Sequence, residues 1–163
     1  MTNREFFART CASEYPRFLG VLKATPAGQL SYRPHPRSRS ASELIGHLIG
    51  HELDLVELLE SGSIHHRMQV PFDSVEHAVA VYSQARGSVE ARLDALDDRA
   101  WESVGKFLVN GNVLMEAPRR DLAWMLLFDA IHHRGQLSTY LRPMGGSVPS
   151  IYGPSADTMT ASA

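Results

Sequence analysis

A chain of 163 residues, 44% hydrophobic and 21% charged, has the balance of one globular domain rather than of a disordered segment. Its formal net charge of -2, with 16 Lys and Arg and no dense basic run, supplies no face for a general grip on nucleic-acid phosphates. The single cysteine, Cys11, excludes an intrachain disulfide, and no run approaches the ~18–20 apolar residues of a membrane span. With charges where a signal peptide would place its apolar stretch, a cytoplasmic protein is expected.

In chain order, the first helix is expected over Asn3–Lys23, opened by the Thr2/Glu5 capping pair and lined by Phe6, Phe7, Cys11, Phe18, Leu19 and Leu22. Pro16 should kink it or break it in two. Residues 25–39 read as a loop rich in proline and serine. A second helix should run from Ala41 to about Glu60, opened by Ser40/Glu43 and stopped at Ser61-Gly62-Ser63, with Leu44, Leu48, Leu55, Leu58 and Leu59 as its apolar stripe. His65 and His66 fall in the loop that follows and read as solvated, with a role at a pocket mouth as the alternative. A third helix should start after Asp73 or Ser74 and reach about Leu96. Residues 97–117 read as a packed loop or a short hairpin, because Asn110-Gly111 is a turn signal. A fourth helix should begin near Pro118 and end near Leu141 or Arg142. Residues 1–150 then form one domain, and 151–163 a surface tail whose last residues are disordered.

These four amphipathic helices, with no convincing sheet, predict an all-α four-helix bundle, in which metal sites are built by inward side chains on facing helices. Cys11 reads as a small buried apolar residue, and Trp101 and Trp124 as core or pocket wall.

Histidine carries the chemical signal: six of the eight fall in the sets His47/His51, His65/His66 and His132/His133. Asp129 and His133 lie four apart on the apolar stripe of the fourth helix, stacked on one face and pointing inward. A carboxylate there must be paired, solvated or metal-bound. His132 lies ~100° around the helix and cannot aim at the same point equally well. His47 and His51 repeat the four-residue spacing on the second helix, followed by Glu52. A third ligand from this second helix would complete a three-ligand site with positions left open, and two histidines with a carboxylate suit Zn, Ni, Mn or Fe. The competing reading is a core histidine paired with Asp129. Gly46, Gly50 and Gly135 suggest that another segment or a ligand comes close, or close packing alone.

The segment His132-His133-Arg134-Gly135-Gln136-Leu137, then Tyr140-Leu141-Arg142 and Gly145, closely resembles the end of the DinB family of damage-inducible metalloenzymes (DinB/YfiT-like). His47 followed five residues later by Glu52 resembles that family's second-helix motif. The resemblance implies an up-down-down-up bundle, often dimeric, and a metal held by one histidine of the second helix and two of the fourth. Carried over, these are His47, Asp129 and His133, with Asp129 standing where the family usually has histidine. The aspartate can ligate, bind more weakly, or leave room for His51. The expected function is a divalent-metal-dependent enzyme, a thiol-dependent transferase or metal-assisted hydrolase acting on a small molecule. Zn or Ni is favoured, Mn or Fe is admissible, and a low-molecular-weight thiol is the implied cosubstrate. His132, His51 or Glu52 would carry protons, and Arg134 or Arg142 would meet an acidic substrate, with surface ion pairing as the competing reading of the two arginines. Fe(II) oxygen chemistry fits the ligand types but not the resemblance. The alternative is a non-catalytic metal-binding or stress-response bundle that dimerises, through Phe6, Phe7 and Val81, or binds partner proteins.

Overall fold

The computed structural model describes residues 1–159, so the expected disorder of the last residues lies outside the described residues. Four long helices form the body: α1 (Asn3–Lys23), α2 (Ala41–Ser61), α3 (Val75–Ala95) and α5 (Arg119–Tyr140). A short α4 (Asp98–Glu102) and a three-stranded sheet complete it. The expectation of a purely helical chain is therefore corrected: β1 (Ser63–His65) pairs in parallel with β2 (Val104–Val109), which pairs antiparallel with β3 (Asn112–Pro118). Asn110 and Gly111 make the hairpin turn with φ of 51° and 79°, the left-handed pair that a two-residue turn needs.

Both expected capping boxes are present. Thr2 and Ser40 accept from the amides of Glu5 and Glu43, whose carboxylates accept in return from the cap amides. α1 runs through Pro16 without a break. The proline is exposed, so the backbone bond it removes is lost at the surface, while Cys11, Phe18 and Leu22 on either side are buried in the core. α2 packs against both α3 and α5, and α1 against the same two helices. Leu44, Leu48, Leu58, Leu93, Leu122 and Leu137 fill the space between. Trp101 is core, stacked on Phe7, and it shares the side-chain oxygen of Asn3 with Trp124. No helix among the described residues is long and apolar enough to cross a membrane.

The segment after β1 positions the site. His66 donates its amide to Leu108 of β2, and Val70 donates its amide to the Gly46 carbonyl of α2, so residues 66–70 lie as a strap directly on that helix. Only glycine permits this. A Cβ at Gly46 would sit 2.6 Å from the Val70 oxygen, and one at Gly50 2.5 Å from the Arg67 oxygen. The expectation of a close approach is met at these two positions, by backbone rather than by a helix. At Gly135 a methyl group would meet no atom within 4 Å, so no close packing asks for glycine there.

Candidate metal centre

The helical four-residue spacing puts His47 above His51 on α2 and Asp129 above His133 on α5, and the α2–α5 contact turns the two pairs toward each other. One donor atom from each of these four residues lies within 4.8 Å of the others. The Nε2 atoms of His51, His133 and His47 lie 2.9, 3.3 and 3.8 Å from Oδ2 of Asp129. The predicted trio of His47, Asp129 and His133 thus comes together, and His51 joins it as a fourth donor.

Hydrogen bonds behind the cluster set the tautomers. His47 Nδ1 donates to the Met68 carbonyl at 2.9 Å, which the strap delivers, and His133 Nδ1 donates to Gln136 Oε1 at 2.8 Å. Each ring is left with its Nε2 lone pair facing the cluster, the arrangement usual behind metal-bound histidines. Gln136 is itself oriented by His132, whose Nε2 accepts from the Gln136 amide at 2.9 Å. His132 is exposed and does not line the cavity.

Burial, with the neighbouring His51 and Arg39 charges, drives the pKa of His47 down to about 3. Burial also lowers that of His133. The His51 ring beside Asp129, helped by the other two imidazoles, holds its carboxyl well below the usual carboxylate range. At neutral pH His47 and His133 therefore offer neutral imidazole lone pairs and Asp129 a carboxylate, the forms in which these groups bind cations. The residues fit a divalent metal on a further observation. His51 is 4% exposed, yet neither of its ring nitrogens makes a hydrogen bond with any described group, and its 2.9 Å approach to Asp129 is off the N–H axis. Buried polar atoms are seldom left so, and a cation between the four donors would answer this one.

Above the donors opens a cavity of about 460 Å³, walled by Phe107 of β2, Leu114 and Met115 of β3 and Met125 and Leu126 of α5, with Arg39 at its edge. His66 also lines it, which answers to the second of the two readings of its loop, a place at a pocket mouth rather than in solvent. Its Nδ1 donates at 2.7 Å to Asp54, a carboxylate with no exposed surface, and Asp54 also accepts from the backbone amide and guanidinium of Arg67. The signal that could have decided between the two readings is the Gly46/Gly50 pair, a seam on α2 against which the loop must lie.

The remaining candidates sit elsewhere. Glu52 is buried in the bundle, accepting from the Tyr82 hydroxyl at 3.1 Å with Arg86 3.6 Å away, and burial raises its pKa. Arg134 is 2% exposed and bound to Glu14, with the Tyr152 hydroxyl capping both. Arg142 is exposed and paired with Asp157 at 3.0 Å. None of these three lines the cavity.

Among known proteins, the family model of the DinB superfamily matches residues 12–137. A DinB-like protein from Bacillus cereus superposes with a TM-score of 0.74 at 18% identity, over 91% of this chain and 97% of that one. A DinB-like protein from Bacillus subtilis superposes with a TM-score of 0.71, also at 18% identity, over 91% and 99%. No protein with a curated description matches. With the family model spanning most of its length, the chain belongs to the DinB superfamily.

Proposed function

We propose that this protein is a divalent-metal-dependent enzyme built on an up-down-down-up bundle, acting on a small molecule as a thiol-dependent transferase or a metal-assisted hydrolase. The observation that carries the reading is the convergence of His47, His51, Asp129 and His133 at the floor of an open cavity, with the lone pairs of His47 and His133 already turned inward. When bound there, a divalent metal would polarise a water or a thiol, bringing the pKa of bound water to about 7.

The chain's own groups do the rest. The Met68 carbonyl and the Gln136 amide fix the two imidazoles, and groups in that position are worth about 10–100-fold in metal affinity. His66, held by Asp54, presents its other nitrogen to the cavity as a hydrogen-bonding group for water or substrate. The apolar wall keeps bulk water from the reacting atoms.

The number of donors bears on the metal. Four protein ligands close a tetrahedral zinc site, whereas a six-coordinate metal such as Ni, Mn or Fe keeps two positions for water and substrate. For zinc, half-exposed Asp129 is the donor best placed to leave. The test is metal analysis by mass spectrometry on untagged protein. The wild type should carry about one metal per chain, and His47→Ala or His133→Ala should release it. His51→Ala should retain metal with a changed preference. Equal metal in wild type and all variants would sink the reading. Incubation of the loaded protein with an electrophile and a panel of cellular thiols then separates transferase from hydrolase.

One observation favours the non-catalytic alternative of a dimerising or partner-binding bundle. Phe128 stacks on Trp124 and Phe6 packs against it at a tilt, 62% and 49% exposed, a surface apolar cluster of the kind that partners cover. Phe7, expected in such a seam, is wholly buried and belongs to the core.

A further inference from the structure

Beside the metal cavity runs a second cleft of about 320 Å³. It is lined by Arg33, Arg37 and Arg39, by Met68 and Gln69 of the strap, and by the Glu43 carboxylate. Arg39 belongs to both cavities, so the two are neighbours across one side chain. Arg33 has a carboxylate partner, Glu43 at 3.3 Å. Among the described residues, the guanidiniums of Arg37 and Arg39 make no hydrogen bond and no ion pair.

The loop that carries them is fixed. Its backbone is tied by Ser38 to His35, by Ala41 to Tyr32, and by the Tyr140 hydroxyl, which donates to the Arg39 carbonyl at 3.1 Å. The Arg39 side chain therefore starts from a rigid anchor and is half-buried between the cavities. Its charge is near enough to be felt at His47 and His133. Two unanswered guanidiniums in a concave surface, presented by a tethered loop, form an arrangement suited to an anionic oxyacid group, because the planar fork matches a carboxylate or phosphate edge.

We propose that Arg39, assisted by Arg37, is an anion-recognition subsite for the molecule that enters the metal cavity. The substrate or cosubstrate is then an organic acid. It lays its carboxylate or phosphate in the arginine cleft, and its reacting end over His47, His51, Asp129 and His133. The inference deepens the enzymatic reading, on which it rests for the position of the reacting end alone. Arg134 and Arg142, the arginines expected in this role, lie outside both cavities.

The test has two arms. In the first, succinate and inorganic phosphate are titrated calorimetrically into the metal-free, full-length chain. Saturable binding of either is expected, weakening as salt rises and by roughly tenfold or more in Arg39→Gln, with Arg39→Lys intermediate. Which anion binds names the acid group. Binding of neither anion, or wild-type binding in both Arg39→Gln and Arg37→Gln, overturns the proposal. In the second arm, the cobalt-substituted protein is titrated with mercaptosuccinate and with 2-mercaptoethanol, and the visible absorption of the cobalt is followed. Mercaptosuccinate should act at roughly tenfold lower concentration than 2-mercaptoethanol, an advantage that Arg39→Gln removes. Equal response to the two thiols in the wild type overturns the proposal. Failure of cobalt to bind at all overturns the metal reading instead, and the succinate and phosphate arm still judges the cleft.

Discussion

Consecutive residues of α5 serve opposite ends of one problem. His133 turns to the α2 side, into a cluster whose donors are only partly answered. Arg134 turns to the α1 side, where the charge is paired and only its Nε lacks a hydrogen bond: Glu14 supplies the counter-charge, Tyr152 bonds both partners, and the Phe18 ring lies 4.7 Å below the guanidinium. Both regions bury ionisable groups. The difference is that the Arg134 side closes on itself with groups of this chain alone, whereas the His133 side leaves the buried His51 nitrogens without a partner and opens onto a cavity. A buried charge held by a counter-charge is structure; several donors that converge on one cavity mark a place for a ligand.

The sharpest way to break this comparison is Arg134→Ala. It leaves the buried Glu14 carboxylate only the part-exposed Arg17 and the Tyr152 hydroxyl as partners, and should cost about 3 kcal/mol of stability, read by urea unfolding, while the metal content per folded chain stays at the wild-type level. Loss of metal without loss of stability would reverse the roles of the two faces. Next in size is Gly50→Ala. Its Cβ must displace the Arg67 carbonyl, so it should destabilise by about 1–3 kcal/mol and, by shifting Met68 off His47, weaken metal binding by roughly tenfold. Competition against a chromophoric chelator measures the second effect.

Acidification should separate the faces further. His47 has its folded-state pKa depressed to about 3, below its unfolded value near 6.5, so the unfolded chain takes up its proton first. Its neutrality costs nothing above about pH 6.5 and destabilises the fold progressively between there and about pH 3. Asp129, lowered in the fold, adds a loss in the same direction below its usual carboxylate range. Thermal midpoints of the metal-free protein should fall with pH across this window. His47→Gln should flatten the upper part of the slope, which Arg134→Met should leave in place. The smallest effect belongs to Gly135→Ala. With no atom within 4 Å of the added methyl, it should stabilise by up to ~1 kcal/mol, in contrast with Gly50 on the facing helix.

The helices were legible because their ends are written locally. The Thr2/Glu5 and Ser40/Glu43 boxes, Gly62 after α2 and the proline before α5 act within a few residues. Asn110-Gly111 offered the hairpin as one of two readings for the same reason. β1 was not legible: three residues become a strand only because β2 lies alongside. The trio His47, Asp129 and His133 followed from helical spacing and the family resemblance, since both act through i and i+4. His66 and Asp54 depend on a loop docking over two glycines, a tertiary event without local periodicity. Of the two readings of Arg134, ion pairing is what the structure shows, but with the distant Glu14 and in the interior rather than at the surface, because position 134 lies ~100° around the helix from His133.

The division of labour between helix and hairpin has a consequence for how such proteins diversify. The four converging donor atoms stand on two long helices packed into the core. The lid of the chamber, formed by Phe107, Leu114 and Met115, belongs to a two-stranded ribbon whose outer strand is largely solvent-facing. Lengthening, shortening or repainting that ribbon would change which molecules are admitted without disturbing a single donor. Reactivity and selectivity are thus inherited on separate pieces of chain, and one can drift while the other stays fixed.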